Sequence, residues 1–298
     1  MNRTTAKFIL VSGTLALSAL ISISLRAQDA PPPTPSESPN AAGPAAQATK
    51  ADSPPAQSEP PPPAPAASSN SSGPLPDRPV SWIGLVPNLL HDQKNIWLFP
   101  VSVSRGHHLV PVLTFTIVTA SLVAGLDNPS GRYFQHTQSF HEFDSIFRNS
   151  HTASAMFAFP VMFYGVGFFR HDTYAEHTVL LAGEAALDST ILDVVMKDIT
   201  RRVQPDQVAM GGSFSDTWFK EHGHAFGGIG SFPSGHEIDA MSIATVFADR
   251  YPKYKWVAYG LAGLVGFTRI SLQAHHPSDV FAGAFLGFVI AHYTVEQF

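Results

Sequence analysis

Two strings near the C-terminus hold the residue types of an oxyanion site. Ser231-Phe232-Pro233-Ser234-Gly235-His236 places a glycine-containing turn ahead of an expected helix. The backbone N–H groups of Ser234 and Gly235 and the positive helix end can then face an anion, with His236 placed to move a proton. Thr268-Arg269, five residues, His275, three residues and Asp279 add a fixed cation, an imidazole and a carboxylate able to hold its ring. Upstream, Lys197, Arg201 and Arg202 close an apolar stretch in the right order to complete a cationic cradle. The bland reading of Arg201 and Arg202 is ordinary cations at a helix C-terminus, and that of Asp279 is a first-turn acid after Pro277. Spacing alone implies an anion with a leaving group.

The order of these motifs resembles the type-2 phosphatidic acid phosphatase and vanadium haloperoxidase superfamily. Its pattern is Lys, six residues, Arg-Pro; then Pro-Ser-Gly-His; then Ser-Arg, five residues, His, three residues, Asp. The second motif is intact at Pro233 to His236, and the third is intact except for Thr268 in place of Ser. The first is altered: six residues after Lys197 comes Gln204-Pro205, so a glutamine stands where the pattern has arginine. The resemblance runs from about residue 107 to 298 and implies an all-α, six-helix bundle with three inter-helix loops converging at one end. It implies hydrolysis of a phosphomonoester or of a lipid phosphate or pyrophosphate.

In that scheme His275 is the nucleophile that forms a phosphohistidine, and His236 protonates the leaving oxygen and later activates water. Asp279 holds the His275 ring and stabilises its charged form, as the carboxylate of a serine triad does. Lys197, Arg202, Ser234, Gly235 and Arg269 hold the non-bridging oxygens, with Arg202 standing in for the missing arginine. No metal and no cofactor are called for. His222, His224 and His276 have a weak spacing for metal, without cysteine or paired carboxylates, and read as loop residues. His107-His108 reads as a helix entry. Two other readings share the cradle: a vanadate-dependent haloperoxidase, and a degenerate phospholipid-binding protein without turnover.

Composition narrows the partners. A formal charge of −5 with no basic block outside the motifs argues against nucleic acid. Cysteine is absent, which fits export without a disulfide framework. Residues 1–27 combine Arg3 and Lys7 with an apolar run from Phe8 to Leu25, the form of a signal peptide or N-terminal anchor. Residues 28–79 are almost entirely Pro, Ala, Ser and Gln and read as a disordered spacer. The folded domain is expected at 80–298, exported to the cell envelope with its site facing the periplasm.

Six helices are expected within it, over about 109–126, 153–169, 178–195, 236–251, 256–267 and 280–293, with no strand periodicity. Trp82 to Val103, interrupted by Pro87 and Pro100, reads as an irregular or short-helix lead-in. The first two runs are uncharged and long enough to span a bilayer, whereas Glu184, Asp188, Asp193, Glu237 and Asp239 would be costly in lipid unless they face the bundle interior. A membrane-embedded bundle with a phosphorylated lipid substrate is preferred to a soluble periplasmic bundle acting on small phosphomonoesters.

Overall fold

The computed structural model describes residues 80–297 except Ala225, and only the backbone of Asn149 and Ser150. The expected leader (1–27) and spacer (28–79) lie outside the described residues. Within them the chain is all helical: α1 (Leu85–Ser104), α2 (Leu109–Gly125), α3 (Asp127–His136), α4 (His141–Ile146), α5 (Asn149–Arg170), α6 (Thr173–Thr200), α7 (Gly235–Arg250), α8 (Lys255–Ser271) and α9 (Pro277–Glu296). The six expected helices are α2 and α5 to α9. The lead-in corrects to a full helix, α1. Its Pro87 lies in the first turn, where no intrahelical N–H bond is lost, and its Pro100 lies near the end, where little helix remains to disrupt.

α7 is the central helix, packed on α6, α8 and α9. Small residues let the backbones approach. A Cβ on Gly283 of α9 would lie 2.7 Å from the Ser234 carbonyl, and one on Gly287 would run into that of Ile238. With Ala291 these form a small-residue stripe at four-residue spacing, the pattern that brings helices together where apolar burial alone cannot. The core is correspondingly lean, with Leu181, Ala182, Ala185, Val246 and Ala291 in one cluster and Ala240, Ala244 and Ala262 in another.

Many of the large apolar side chains point outward instead, among them Phe157, Val161, Phe168 and Phe169 on α5. Among the described residues two helices are long and apolar enough to cross a membrane, α5 from His151 to Arg170 (mean hydropathy 1.5) and α9 (mean hydropathy 1.4), and α1 with α2 passes jointly as one span bent by 96°. This outward apolar surface supports membrane association. The acids of α6 face inward: Glu184, Asp188 and Asp193 are buried. α1 supplies amides to two of them, Asn88 Nδ2 donating to Glu184 Oε2 (3.4 Å) and Gln93 Nε2 to Asp188 Oδ1 (2.8 Å). A role for α1 follows: it covers acids that would otherwise meet lipid.

Candidate active site

The motif ends converge as an up-and-down bundle requires. Lys197 lies in the last turn of α6, Ser234 caps α7, Arg269 lies in the last turn of α8, and His276 caps α9 with Asp279 in its first turn. Between them lies a cavity of about 270 Å³ lined by Lys197, Gln204, Gln207, Glu221, His236 and His275, with the 228–230 backbone and Ala274 closing the wall. The structure therefore brings together Lys197, His236 and His275, and puts Gln204 where the motif arginine is expected.

His275 is 6% exposed, and its Nδ1 lies 2.7 Å from the Ser231 carbonyl oxygen. A carbonyl only accepts, so Nδ1 carries the hydrogen and Nε2 keeps the lone pair. The orienting group is thus a backbone carbonyl rather than Asp279, whose Oδ2 lies 3.9 Å from Nδ1, beyond hydrogen-bond range. Asp279 acts one step removed. It accepts from the Ser231 hydroxyl, from the His276 backbone N–H (2.9 Å) and from Arg202 Nη1 (2.5 Å).

Lys197 stands beside the first turn of α7, its Nζ 2.8 Å from Asp193 Oδ2 one turn back on α6. Gly235 is what permits this approach: a Cβ there would lie 2.9 Å from Asp193 Oδ2 and 3.0 Å from Lys197 Nζ. Burial raises the Asp193 carboxyl, opposed by Lys197. It pushes neighbouring Asp239 up to about 7, opposed first by a hydrogen bond from Thr190. Asp193 was readable only as one of several acids on an apolar run, although its i,i+4 spacing to Lys197 is a signal for a paired cation.

Three expected anion ligands are placed otherwise. Arg202 is fully buried and does not line the cavity. Its Nη2 pairs with Asp127 Oδ2 (2.6 Å) and its Nη1 with Asp279 and with Ser278 Oγ (2.7 Å). Its Nε donates to Thr217 Oγ1 (3.2 Å), and the guanidinium lies 4.4 Å from the Trp218 ring centroid. With four of its five N–H donors on two carboxylates and two hydroxyls, this buried guanidinium is a pillar of the site rather than part of the cradle. Arg269, also buried, donates through Nη2 to the Phe147 carbonyl (2.5 Å) and to Thr152 Oγ1 (3.0 Å) at the start of α5. Desolvation brings its pKa down to about 10 against the pull of Asp144 and Glu237. The Ser234 N–H goes to the Asp279 carbonyl (3.0 Å), and Ser234 does not line the cavity.

Of the histidines weighed for metal, His276 is buried, with its Nε2 3.1 Å from the Val203 carbonyl, and burial lowers its pKa. His222 and His224 are exposed in the loop, so the three do not form one donor set.

The pillar carries a stability prediction. Arg202→Ala leaves Asp127 and Asp279 buried and uncompensated, and is expected to cost about 3–5 kcal/mol in denaturant unfolding. A loss below about 1 kcal/mol would show that the two carboxylates do not depend on it.

Residues 178–298 match the family model of the PAP2 superfamily. The chain is 37% identical over 99 residues to a lipid A 1-phosphatase of Rhizobium etli, covering 33% of this chain and 41% of the relative. It is 34% identical over 114 residues to a lipid A 1-phosphatase of Rhizobium johnstonii, covering 38% and 42%. Phosphatidylglycerophosphatase B of Bacillus subtilis is 29% identical over 154 residues, covering 47% of this chain and 68% of that protein. The match to the Rhizobium proteins thus takes in about two fifths of their length. A crystal structure of a transmembrane PAP2-type phosphatidylglycerolphosphate phosphatase from Bacillus subtilis overlaps 72% of this chain and 93% of its own at 19% identity, with a TM-score of 0.32.

Proposed function

From the match of residues 178–298 to the PAP2 superfamily model we propose that this chain is a phosphatase that hydrolyses a phosphorylated lipid through a phosphohistidine at His275. The observation that carries the reading is the His275 ring. Its Nδ1–H is fixed on the Ser231 carbonyl at 2.7 Å, which leaves the Nε2 lone pair for attack in a cavity shared with Lys197 and His236. Nε2 attacks phosphorus, the P–O bond to the lipid breaks, and His236 gives its proton to the departing oxygen. Neutral His236 then takes a proton from water as that water attacks phosphorus and the P–N bond to His275 breaks, which releases phosphate, frees the His275 imidazole and leaves His236 protonated again. Lys197 and the Gly235 N–H neutralise and position the phosphoryl oxygens.

The names of the relatives and the outward apolar helices support a lipid substrate. Cavity chemistry favours a monoester over a pyrophosphate: Lys197 is the cation in the wall, Gln204 is neutral, and Glu221 repels further negative charge. The basic residues between α7 and α8 support a periplasmic site. Arg250, Lys253 and Lys255 lie at the end of α7 and the start of α8, opposite the cavity, and such basic loops remain cytoplasmic.

Because histidines, Lys197 and a backbone N–H carry every step, excess chelator is expected to leave phosphate release unchanged. Vanadate is expected to inhibit competitively as a mimic of the five-coordinate phosphoryl group. Activity that disappears with chelator would overturn metal independence, and halide oxidation with vanadate and peroxide would point to haloperoxidase chemistry. Vanadate binding without turnover of any phosphate ester would leave a binding protein in place of an enzyme.

A further inference from the structure

We infer that Asp127 is a positioning residue for the nucleophile His275, acting through Arg202 and the first turn of α9. Asp127 lies outside the three sequence motifs and outside residues 178–298, which the family model matches. It is nonetheless fully buried and multiply bonded. Its Oδ1 accepts the Ser278 backbone N–H (3.0 Å), and its Oδ2 accepts both the Ser278 hydroxyl (2.6 Å) and Arg202 Nη2 (2.6 Å). Arg202 Nη1 reaches on to Asp279, Asp279 takes the Ser231 hydroxyl, and the Ser231 carbonyl holds His275 Nδ1.

One carboxylate therefore ties three separate parts of the chain: the start of α3, the loop after α6, and the turn that presents His275. Each link is a buried, charge-assisted or backbone bond, the kind whose loss is not made good by water. The links converge on residues 278 and 279, three and four residues after His275, so a shift of the α9 terminus moves the attacking nitrogen. Lys197 stands on α6 and pairs with Asp193, and the start of α7 meets the network through the backbone bond from the Ser234 N–H to the Asp279 carbonyl (3.0 Å), which a neutral side chain at position 127 leaves in place. The consequence is a specific kinetic signature: the nucleophile is displaced while the binding wall remains.

The inference rests on the phosphatase reading for its kinetic arm and is tested by Asp127→Asn, which keeps the side-chain shape and removes the charge. In the full-length protein in detergent, kcat per folded molecule is expected to fall about 10²-fold, the loss that a displacement of about 1 Å produces. KM is expected to stay within about twofold, since the phosphate wall is untouched. The losses from Asp127→Asn and Asp279→Asn are expected not to add, because both break one relay. A merely structural Asp127 would lower the folded fraction and leave kcat per folded molecule unchanged.

Hydrogen exchange gives an arm that needs no turnover: amides within residues 275–281 are expected to exchange at least about tenfold faster in the variant, with the α5 amides unaffected. Unchanged kcat, or unchanged exchange at 275–281, overturns the inference. If the parent hydrolyses no phosphate ester, the phosphatase reading fails and exchange alone judges the clamp. Should Asp127→Asn not fold, Ser278→Ala removes the two hydroxyl bonds and leaves the charges in place. Its kcat is then expected to fall about tenfold, and a kcat equal to the parent's would be equally fatal.

Discussion

His275→Ala is expected to lower kcat by at least about 10⁴-fold on every phosphate ester, because removing a nucleophile removes the covalent route rather than slowing it. The fold should survive. The His275 side chain gives up one hydrogen bond to the Ser231 carbonyl, worth about 1 kcal/mol net, far less than the Arg202 pillar. The measurement is steady-state phosphate release beside an unfolding curve for the same preparation. Retained turnover would remove His275 from the reaction, and lost turnover with a collapsed unfolding curve would show a structural histidine.

His236→Ala is expected to separate the two imidazoles by leaving group. An alkoxide needs a proton as it departs, so alkyl and lipid phosphates are expected to lose about 10²- to 10⁴-fold in kcat. p-Nitrophenyl phosphate has a leaving group that departs as the anion and is expected to lose less than about tenfold in the phosphorylation step, read as a pre-steady-state burst. Equal losses on both substrates would make His236 a binding residue. Its place agrees with an acid that is later a base: it opens α7 and lines the cavity opposite a nucleophile held by a different loop.

The helices that apolar runs announce are the ones the sequence made readable, since burial and membrane contact both demand continuous apolar stretches. The ones it hid are instructive. Trp82 to Val103 reads as a broken lead-in because of its prolines, yet a proline in a first turn starts a helix. α1 and α3 begin that way, with Pro87 and Pro129. No expected helix covered α3, and Asp127 at its start went unnoticed with it.

Within the site, short-range patterns marked Lys197, His236 and His275, which share the cavity wall. What spacing could not convey is direction. Arg202 is five residues from Lys197 in sequence, but its guanidinium turns toward carboxylates 75 and 77 residues away. Arg269 likewise turns to the start of α5, 117 residues before it. Long buried cations are steered by whatever acceptors the fold brings near them, and no local pattern reports those. The orienting bond of His275 was hidden for a similar reason, because its acceptor is a backbone carbonyl that any residue type at position 231 would offer.

The central claim is the covalent phosphohistidine, and its most direct measurement is to trap it. Protein mixed with a ³²P-labelled phosphate ester, quenched within milliseconds and digested, is expected to carry label on the peptide containing His275. That label should be lost in acid, remain stable in base, and be absent from His275→Ala. Label on any other residue, or a burst of product with no protein-bound phosphate in a protein that turns over, would contradict the account.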